Sequence, residues 1–444
     1  MRLILNLNTA NPTHMKGRLF LLLLATTSGL HAAKTDPAAE YVSALKRVTD
    51  IMVNDVTSPV ASARYYAYTT LASYESLSAF QPAQYPSLVG SLTHPLRLEL
   101  SEGQEKDLQA CSRLALWKAA AALLPSGTKL KPGIDSLSTH VSPAGLELID
   151  KVVNQIVAWA LRDGFLQLNN LQRYTPKRGP AFWQPTGPAF MAPIEPHWNT
   201  IRTLVLDSAD QFVPLPPAPF DLDKDSPFYA LLQEVYESVR SKNPEKEAIA
   251  NFWDCNPYHI SQIGHVEFGT KKISPGGHWM GIAGIACKKA KLPLGHTVLA
   301  HTLVAVTLHD AFIACWDEKY RSHRVRPETA IRAFVDKTWK TVLQTPPFPE
   351  YVSGHSVAST AASVVLTRIF GPEFSFSDDT EVEFGLPVRK FRSFASAADE
   401  ASLSRLYGGI HFRDAIEQGV WQGKEVGQLV SARLKAHFDY LAKR

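Results

Sequence analysis

Across its 444 residues the chain carries only four cysteines, Cys111, Cys255, Cys287 and Cys315, widely spaced and without a CxxC pair. That spacing excludes a zinc knuckle and a thioredoxin-like motif. The apolar contexts of Cys287 and Cys315 fit buried thiols, with disulfides the alternative in an exported protein. There is no HExxH among the 15 histidines and no dense Lys/Arg block, and the net charge is only +4. A metalloprotease-type zinc site and a nucleic-acid footprint are therefore not expected. His309-Asp310 alone reads as core polarity rather than a ligand pair. Period-two apolar alternation is scarce, no repeat of 20 to 50 residues is visible, and no segment beyond the N-terminus has about 18 uninterrupted apolar residues. Strand-rich folds, repeat arrays and an integral membrane segment in the mature protein are all disfavoured.

What is present begins with an address. Met15-Lys16-Gly17-Arg18 precedes LFLLLLATTSGLHAA, a basic start, a short apolar core and small residues, as in a secretory signal peptide. Residues 1–33 are read as that peptide, with Ala32 or Ala33 at its edge and Met15 as the natural start. The mature protein is expected to be exported, periplasmic or secreted.

Residues 34–173 read as helical. Apolar positions recur every three or four residues in 38–56 and 58–80, Ser58-Pro59 forms a cap followed by a first-turn proline, and 108–124 and 144–168 continue the pattern. Eleven of the thirty prolines then fall within 174–227, which forbids long helices. Phe182, Trp183, Phe190 and Trp198 argue against a loose linker there, so an extended segment wrapped over a helical body is expected. Residues 228–444 resume the helical pattern, most clearly at 228–242 and 294–320. The reading is an all-α helical bundle in which N-terminal helices pack with a C-terminal active-site part as one domain.

Three short segments of that last part carry chemistry. Lys319 closes the helix ACWDEKY, and Arg326 precedes Pro327, which forces it out of helical geometry. Isolated cations of this kind are usually solvated. The second segment, FPEYVSGHS, is a loop entering an Ala/Val-rich helix, capped by Ser353 or Ser356. A helix N-terminus presents free N–H groups to an anion, with Gly354 permitting close approach and His355 at the edge. In the third, SRLYGGIH, Gly408-Gly409 breaks one helix and His411 begins the next, with Arg405 on the far side of the turn. Asp414, three residues beyond His411, either orders its imidazole or answers the helix dipole. Three cations, a hydroxyl, a glycine and two histidines suit a tetrahedral oxyanion.

Lys319 to Arg326-Pro327, then Ser353-Gly354-His355, then Ser404-Arg405 to His411, resembles the superfamily of vanadium-dependent haloperoxidases and type 2 phosphatidic acid phosphatases in order and spacing. The long helical preamble, CWDEKY and the export signal resemble its bacterial haloperoxidase branch. Two positions depart from the family pattern: Val352 replaces the proline before Ser-Gly-His, and Ala415 stands where an aspartate is usual.

The resemblance implies vanadate held axially by His411, with Lys319, Arg326, Ser353, Gly354 and Arg405 on its oxygens. His355 is then the base for hydrogen peroxide, and Lys319 polarises the bound oxidant. It also implies Trp316, Phe348 and Tyr258 as pocket walls. The expected activity is oxidation of iodide or bromide by peroxide to hypohalous acid, which reacts with small organic acceptors. A secreted acid phosphatase working through a phosphohistidine at His411 is the alternative, and a non-catalytic oxyanion binder a third.

Overall fold

Serine, aspartate and asparagine placed before proline set the helix starts. In the computed structural model, which describes residues 36–100, 105–187, 189–263 and 266–443, seven helices begin on a proline, and six of them carry a side-chain cap. These six are Pro37–Asn54, Pro59–Phe80, Pro143–Ala160, Pro227–Arg240, Pro244–Phe252 and Pro275–Lys289. Each is capped by the preceding side chain, Asp36, Ser58, Ser142, Ser226, Asn243 and Ser274, which accepts a first-turn N–H. Proline loses nothing at that position because the N–H it lacks has no intrahelical partner, and each cap contributes about 1 kcal/mol. The proposed signal peptide lies outside the described residues.

The helix Leu294–Ser322 is the axis of the molecule, buried along nearly its whole length. Around it pack Pro59–Phe80, itself almost entirely buried, together with Pro275–Lys289, Gly354–Phe370 and Arg413–Arg433. Leu294–Ser322 is long and apolar enough to cross a membrane, but every residue of its apolar window faces protein. The most extensive helix pairing joins Gly354–Phe370 to Arg413–Arg433. Its close approach depends on Gly419, Gly423 and Gly427, spaced four apart on one face. A Cβ at Gly423 would lie 2.3 Å from the Val357 carbonyl oxygen, and one at Gly419 would lie 2.9 Å from the Ser353 carbonyl oxygen. This pairing fixes where the N-terminus of Gly354–Phe370 sits.

The all-α expectation holds: the described residues include four short strands in two antiparallel pairs, His259–Ile263 with Val266–Thr270 and Phe376–Asp378 with Arg389–Phe391. The helix expected over 144–168 stops at Ala160, because Gly164 takes a left-handed conformation (φ 102°) and a 3-10 turn, Phe165–Asn170, follows. Across 174–226 no α-helix occurs among the described residues. The segment is tied down by backbone bonds: Trp183 N donates to His323 O (2.7 Å), Val325 N to Ala181 O (2.9 Å), and Ile194 N to Pro347 O (3.1 Å). The buried carboxylate of Asp310 accepts from Leu204, Val205 and Leu206 N at 2.6–2.8 Å. Trp183 and Trp198 are fully buried, as their composition implied, whereas Phe190 is 68% exposed. Residues 36–444 form one compact unit. All four cysteines are buried thiols outside any disulfide.

Candidate active site

Trp316 and Lys319 stand one turn apart near the end of Leu294–Ser322, and His323, in a left-handed conformation, stops that helix. The chain then reverses so that Arg326 is extended (φ −81°, ψ 149°) ahead of the helix Pro327–Phe334, as the proline requires. Both cations are fully buried, not solvated.

Carbonyls of the loop 345–353 are partners of both, and Arg326 also reaches Ile410 and His411. Lys319 Nζ donates to the carbonyls of Pro349 (3.2 Å), Glu350 (3.1 Å) and Val352 (2.5 Å). All three ammonium donors are thereby used, so Lys319 offers the site its charge rather than a free N–H. Arg326 donates to the carbonyls of Phe348 (2.9 Å), Ile410 (2.9 Å) and Pro349 (3.3 Å). The loop is rich in proline, which supplies a carbonyl without an N–H, so its acceptors are left for the cations. Arg405, on the helix Phe394–Tyr407, donates to Ser404 Oγ (3.0 Å) and the Trp253 carbonyl (2.7 Å). Asp254, whose charge also reaches Arg405, is paired with Lys272 at 2.6 Å.

Carbonyl dipoles solvate a cation without cancelling its charge. Burial accordingly pulls Lys319 down to about 7, and Arg326 and Arg405 down to about 10. The carboxylate set among them, Glu350, is pushed up to about 7 by burial. Three cations against one carboxylate form an electropositive centre that an anion would stabilise.

Glu350 also determines the state of His411. Its Oε1 accepts from His411 Nδ1 and from Phe412 N, both at 2.9 Å. A carboxylate acceptor requires Nδ1 to carry the proton, which leaves Nε2 unprotonated and accepting from Arg326 Nη1 at 3.1 Å. Burial, then Arg326, Lys319 and Arg405, hold His411 well below the ordinary histidine range, so the ring is neutral.

Two sequence expectations change here. His411 does not begin a helix: Gly409 turns the chain (φ 76°), and the helix starts at Arg413 with Phe412 as its cap. Asp414 therefore does not share a helical face with His411. It pairs instead with Arg324 Nη1 (2.7 Å), whose other carboxylate neighbour is Glu350 Oε2 (3.4 Å). Glu350 was not anticipated; the available signal was a lone acidic residue in the otherwise apolar and small FPEYVSGH.

Ser353 caps Gly354–Phe370, accepting from Ser356 N (3.3 Å) and from Ser356 Oγ (2.9 Å). A Cβ on Gly354 would meet only ordinary contacts, Trp316 at 3.7 Å and Lys319 Cε at 4.0 Å. Packing therefore does not require glycine there. His355 bonds the Trp253 carbonyl, leaving Nε2 buried without a partner. Burial and Arg405 hold His355 well below its usual range. It too is neutral, with an acceptor available.

Gly354, His355, Arg405 and His411 line a cavity of about 50 Å³, and Trp316, Phe348 and Tyr258 form walls of it. That volume holds on the order of four water-sized atoms, the scale of a tetrahedral oxyanion. Lys319, Arg326 and Ser353 lie behind these walls; Lys319 Nζ is 5.1 Å from the Phe348 ring and 5.7 Å from the Trp316 ring. Larger cavities, about 720 Å³ beside Met280 and His301 and about 360 Å³ beside Arg332 and Lys340, contain none of these groups.

This arrangement has known counterparts. The VCPO second helical-bundle domain family matches residues 300–440, which include every motif residue above. A crystal structure of the first bacterial vanadium-dependent iodoperoxidase is 43% identical, covers 89% of this chain and 96% of its own, and superposes with a TM-score of 0.83. A holo-type bacterial vanadium-dependent chloroperoxidase is 16% identical, with 86% and 93% coverage and a TM-score of 0.63, and shares the fold. No curated protein matches.

Proposed function

The chain belongs to the vanadium-dependent haloperoxidases, and from that premise we propose that it binds vanadate at His411 Nε2 and oxidises iodide with hydrogen peroxide. The observation that carries this reading is the unprotonated Nε2 of a neutral His411, met by Arg326 Nη1 and set among three buried, carbonyl-held cations. Vanadate, when bound, supplies a Lewis-acid centre that activates peroxide without changing oxidation state.

The protein's own groups account for the rest. Glu350 keeps the proton on Nδ1 of His411 and so keeps Nε2 available as a ligand atom. Arg326, Arg405 and Lys319 balance the oxyanion charge, Arg405 from the cavity wall and Lys319 from behind it. The backbone N–H groups at the start of Gly354–Phe370, positioned by the Ser353 cap, face the same charge. His355 accepts at Nε2 the proton of an entering peroxide, the role for which a neutral imidazole with no partner is suited. Trp316, Phe348 and Tyr258 keep the volume small and exclude bulk water.

Iodide is favoured over bromide by the 43% identity to an iodoperoxidase. Export is part of the proposal and rests on the basic, apolar and small-residue order of 15–33; N-terminal sequencing of secreted protein tests it. For activity, purified protein is assayed with and without vanadate for peroxide-dependent oxidation of iodide and bromide, beside hydrolysis of a chromogenic phosphate ester. Vanadate-stimulated iodide oxidation that disappears in His411→Ala is the expected result. Ester hydrolysis inhibited by vanadate, with no halide oxidation, would establish the phosphatase reading instead.

A further inference from the structure

Beside the oxyanion cavity, Cys255, His278 and Glu381 converge from three distant parts of the chain, each at most 2% exposed. Cys255 Sγ lies 3.4 Å from His278 Nδ1 and 3.8 Å from Glu381 Oε1, and Nδ1 lies 3.2 Å from Oε1. A tetrahedral ion with metal–sulfur bonds of about 2.3 Å and metal–nitrogen or metal–oxygen bonds of about 2.05 Å has ligand-to-ligand edges of about 3.6 Å from sulfur and about 3.4 Å between nitrogen and oxygen. All three observed edges agree with these to within about 0.3 Å.

A second observation concerns the far side of the imidazole. His278 Nε2 lies 2.8 Å from Asp378 Oδ2, and Asp378 is in turn fixed by Thr380 N (3.1 Å) and Thr380 Oγ1 (2.6 Å). Trp253 stacks on the ring at 4.5 Å and 18°. A carboxylate that holds one ring nitrogen while the other faces two further ligand atoms is the supporting arrangement of metal-bound histidines. Hydrogen bonds join the same three groups, with the Cys255 thiol donating to Glu381 Oε1, and the compact triangle of one sulfur, one nitrogen and one oxygen is also the face a single ion would close.

We propose that Cys255, His278 and Glu381 bind a divalent transition metal, with zinc the best match to a thiolate, imidazole and carboxylate set and water in the fourth position. Binding forms one bond each to Sγ, Nδ1 and Oε1 and releases the protons held by the thiol and by Nδ1, with no change of oxidation state. The ion ties residues 253–258 to the helix Pro275–Lys289 and to the loop after Phe376–Asp378. It thereby steadies Trp253, whose carbonyl holds both Arg405 and His355. The inference rests on this cluster alone and does not depend on the vanadate reading.

The test is titration of chelator-treated full-length protein with cobalt(II), followed by zinc. One equivalent of cobalt giving a thiolate charge-transfer band and intense tetrahedral d–d absorption, displaced by one equivalent of zinc, is expected. Both signals are lost in Cys255→Ser and in His278→Ala and retained in His411→Ala. Zinc raises the Tm of the wild type but not of Glu381→Gln, which keeps the side-chain volume should the other variants fold poorly. Wild-type protein that binds no stoichiometric cobalt, or shows no sulfur charge transfer, would overturn the proposal. So would a cobalt spectrum unchanged by Cys255→Ser.

Discussion

Replacing Glu350 by glutamine separates orientation from charge at the centre of the site. In the wild type, Oε1 accepts from both His411 Nδ1 and Phe412 N at 2.9 Å, while Oε2 faces Arg324 Nη1 at 3.4 Å. An amide oxygen can take the first position as a weaker, neutral acceptor, but its NH2 group then meets the Arg324 donor. Removing a negative charge favours an anion electrostatically, whereas weakening the hold on Nδ1 makes Nε2 a poorer ligand. Losing such a supporting partner typically weakens ligation 10- to 100-fold, about 1.4–2.8 kcal/mol. Glu350→Gln is therefore expected to raise the vanadate dissociation constant by roughly that factor, measured by equilibrium titration. Asp414 accepts from Ala218 N (3.2 Å) and Ala415 N (2.7 Å) and pairs with Arg324 rather than His411; Asp414→Asn weakens that partly exposed pair (4% and 22% exposed), worth about 1 kcal/mol at most, or up to about fivefold. Affinity unchanged or improved in Glu350→Gln, or a loss in Asp414→Asn as large as in Glu350→Gln, would refute the reasoning.

Two further predictions concern charge and packing. Sulfate keeps its charge between pH 6 and 9, whereas Lys319, held near 7, is a cation below that pH and neutral above it. Glu350, also near 7, gains a negative charge over the same interval. Both changes make the site less positive as pH rises while Arg326 and Arg405 stay charged, so sulfate affinity should fall from pH 6 to pH 9; a flat or rising profile contradicts the assignment. Gly423→Ala drives a Cβ into the Val357 carbonyl oxygen and should cost about 1–3 kcal/mol, seen as a lower Tm, with vanadate affinity reduced because Ser353 and Gly354 shift with their helix. A Tm equal to the wild type would show that the helices do not depend on this close approach.

Local chemistry explains which parts of the molecule were legible in the sequence. The helix start at Pro59 was readable because a Ser-Pro pair acts within one turn, and Arg326 was placed correctly because Pro327 restricts its neighbour. The motif residues stood out because their spacing within each segment is short. Contacts across long sequence separations were not readable. Glu350 meets His411 across 61 residues, and nothing periodic marks a single acid in a loop. The same holds for Cys255, His278 and Glu381, whose separations carry no metal-site spacing. The environment of the cations was likewise hidden, since a lysine bonded to three carbonyls and one in water look alike in sequence. Of the two readings of Asp414, its place in the first turn of Arg413–Arg433 agrees with the dipole one, and the ordering of His411 fails for a geometric reason: spacing by three implies contact only on a helix, and the chain at His411 is not yet helical.

A crystal of the protein soaked in vanadate, with vanadium located by its anomalous scattering, tests the central claim most directly. The account predicts one vanadium in the cavity bounded by Gly354, His355, Arg405 and His411, at bonding distance from His411 Nε2, with Glu350 still on Nδ1. Vanadium bonded to His355 or to His411 Nδ1, or absent from this cavity at saturating vanadate, would contradict it.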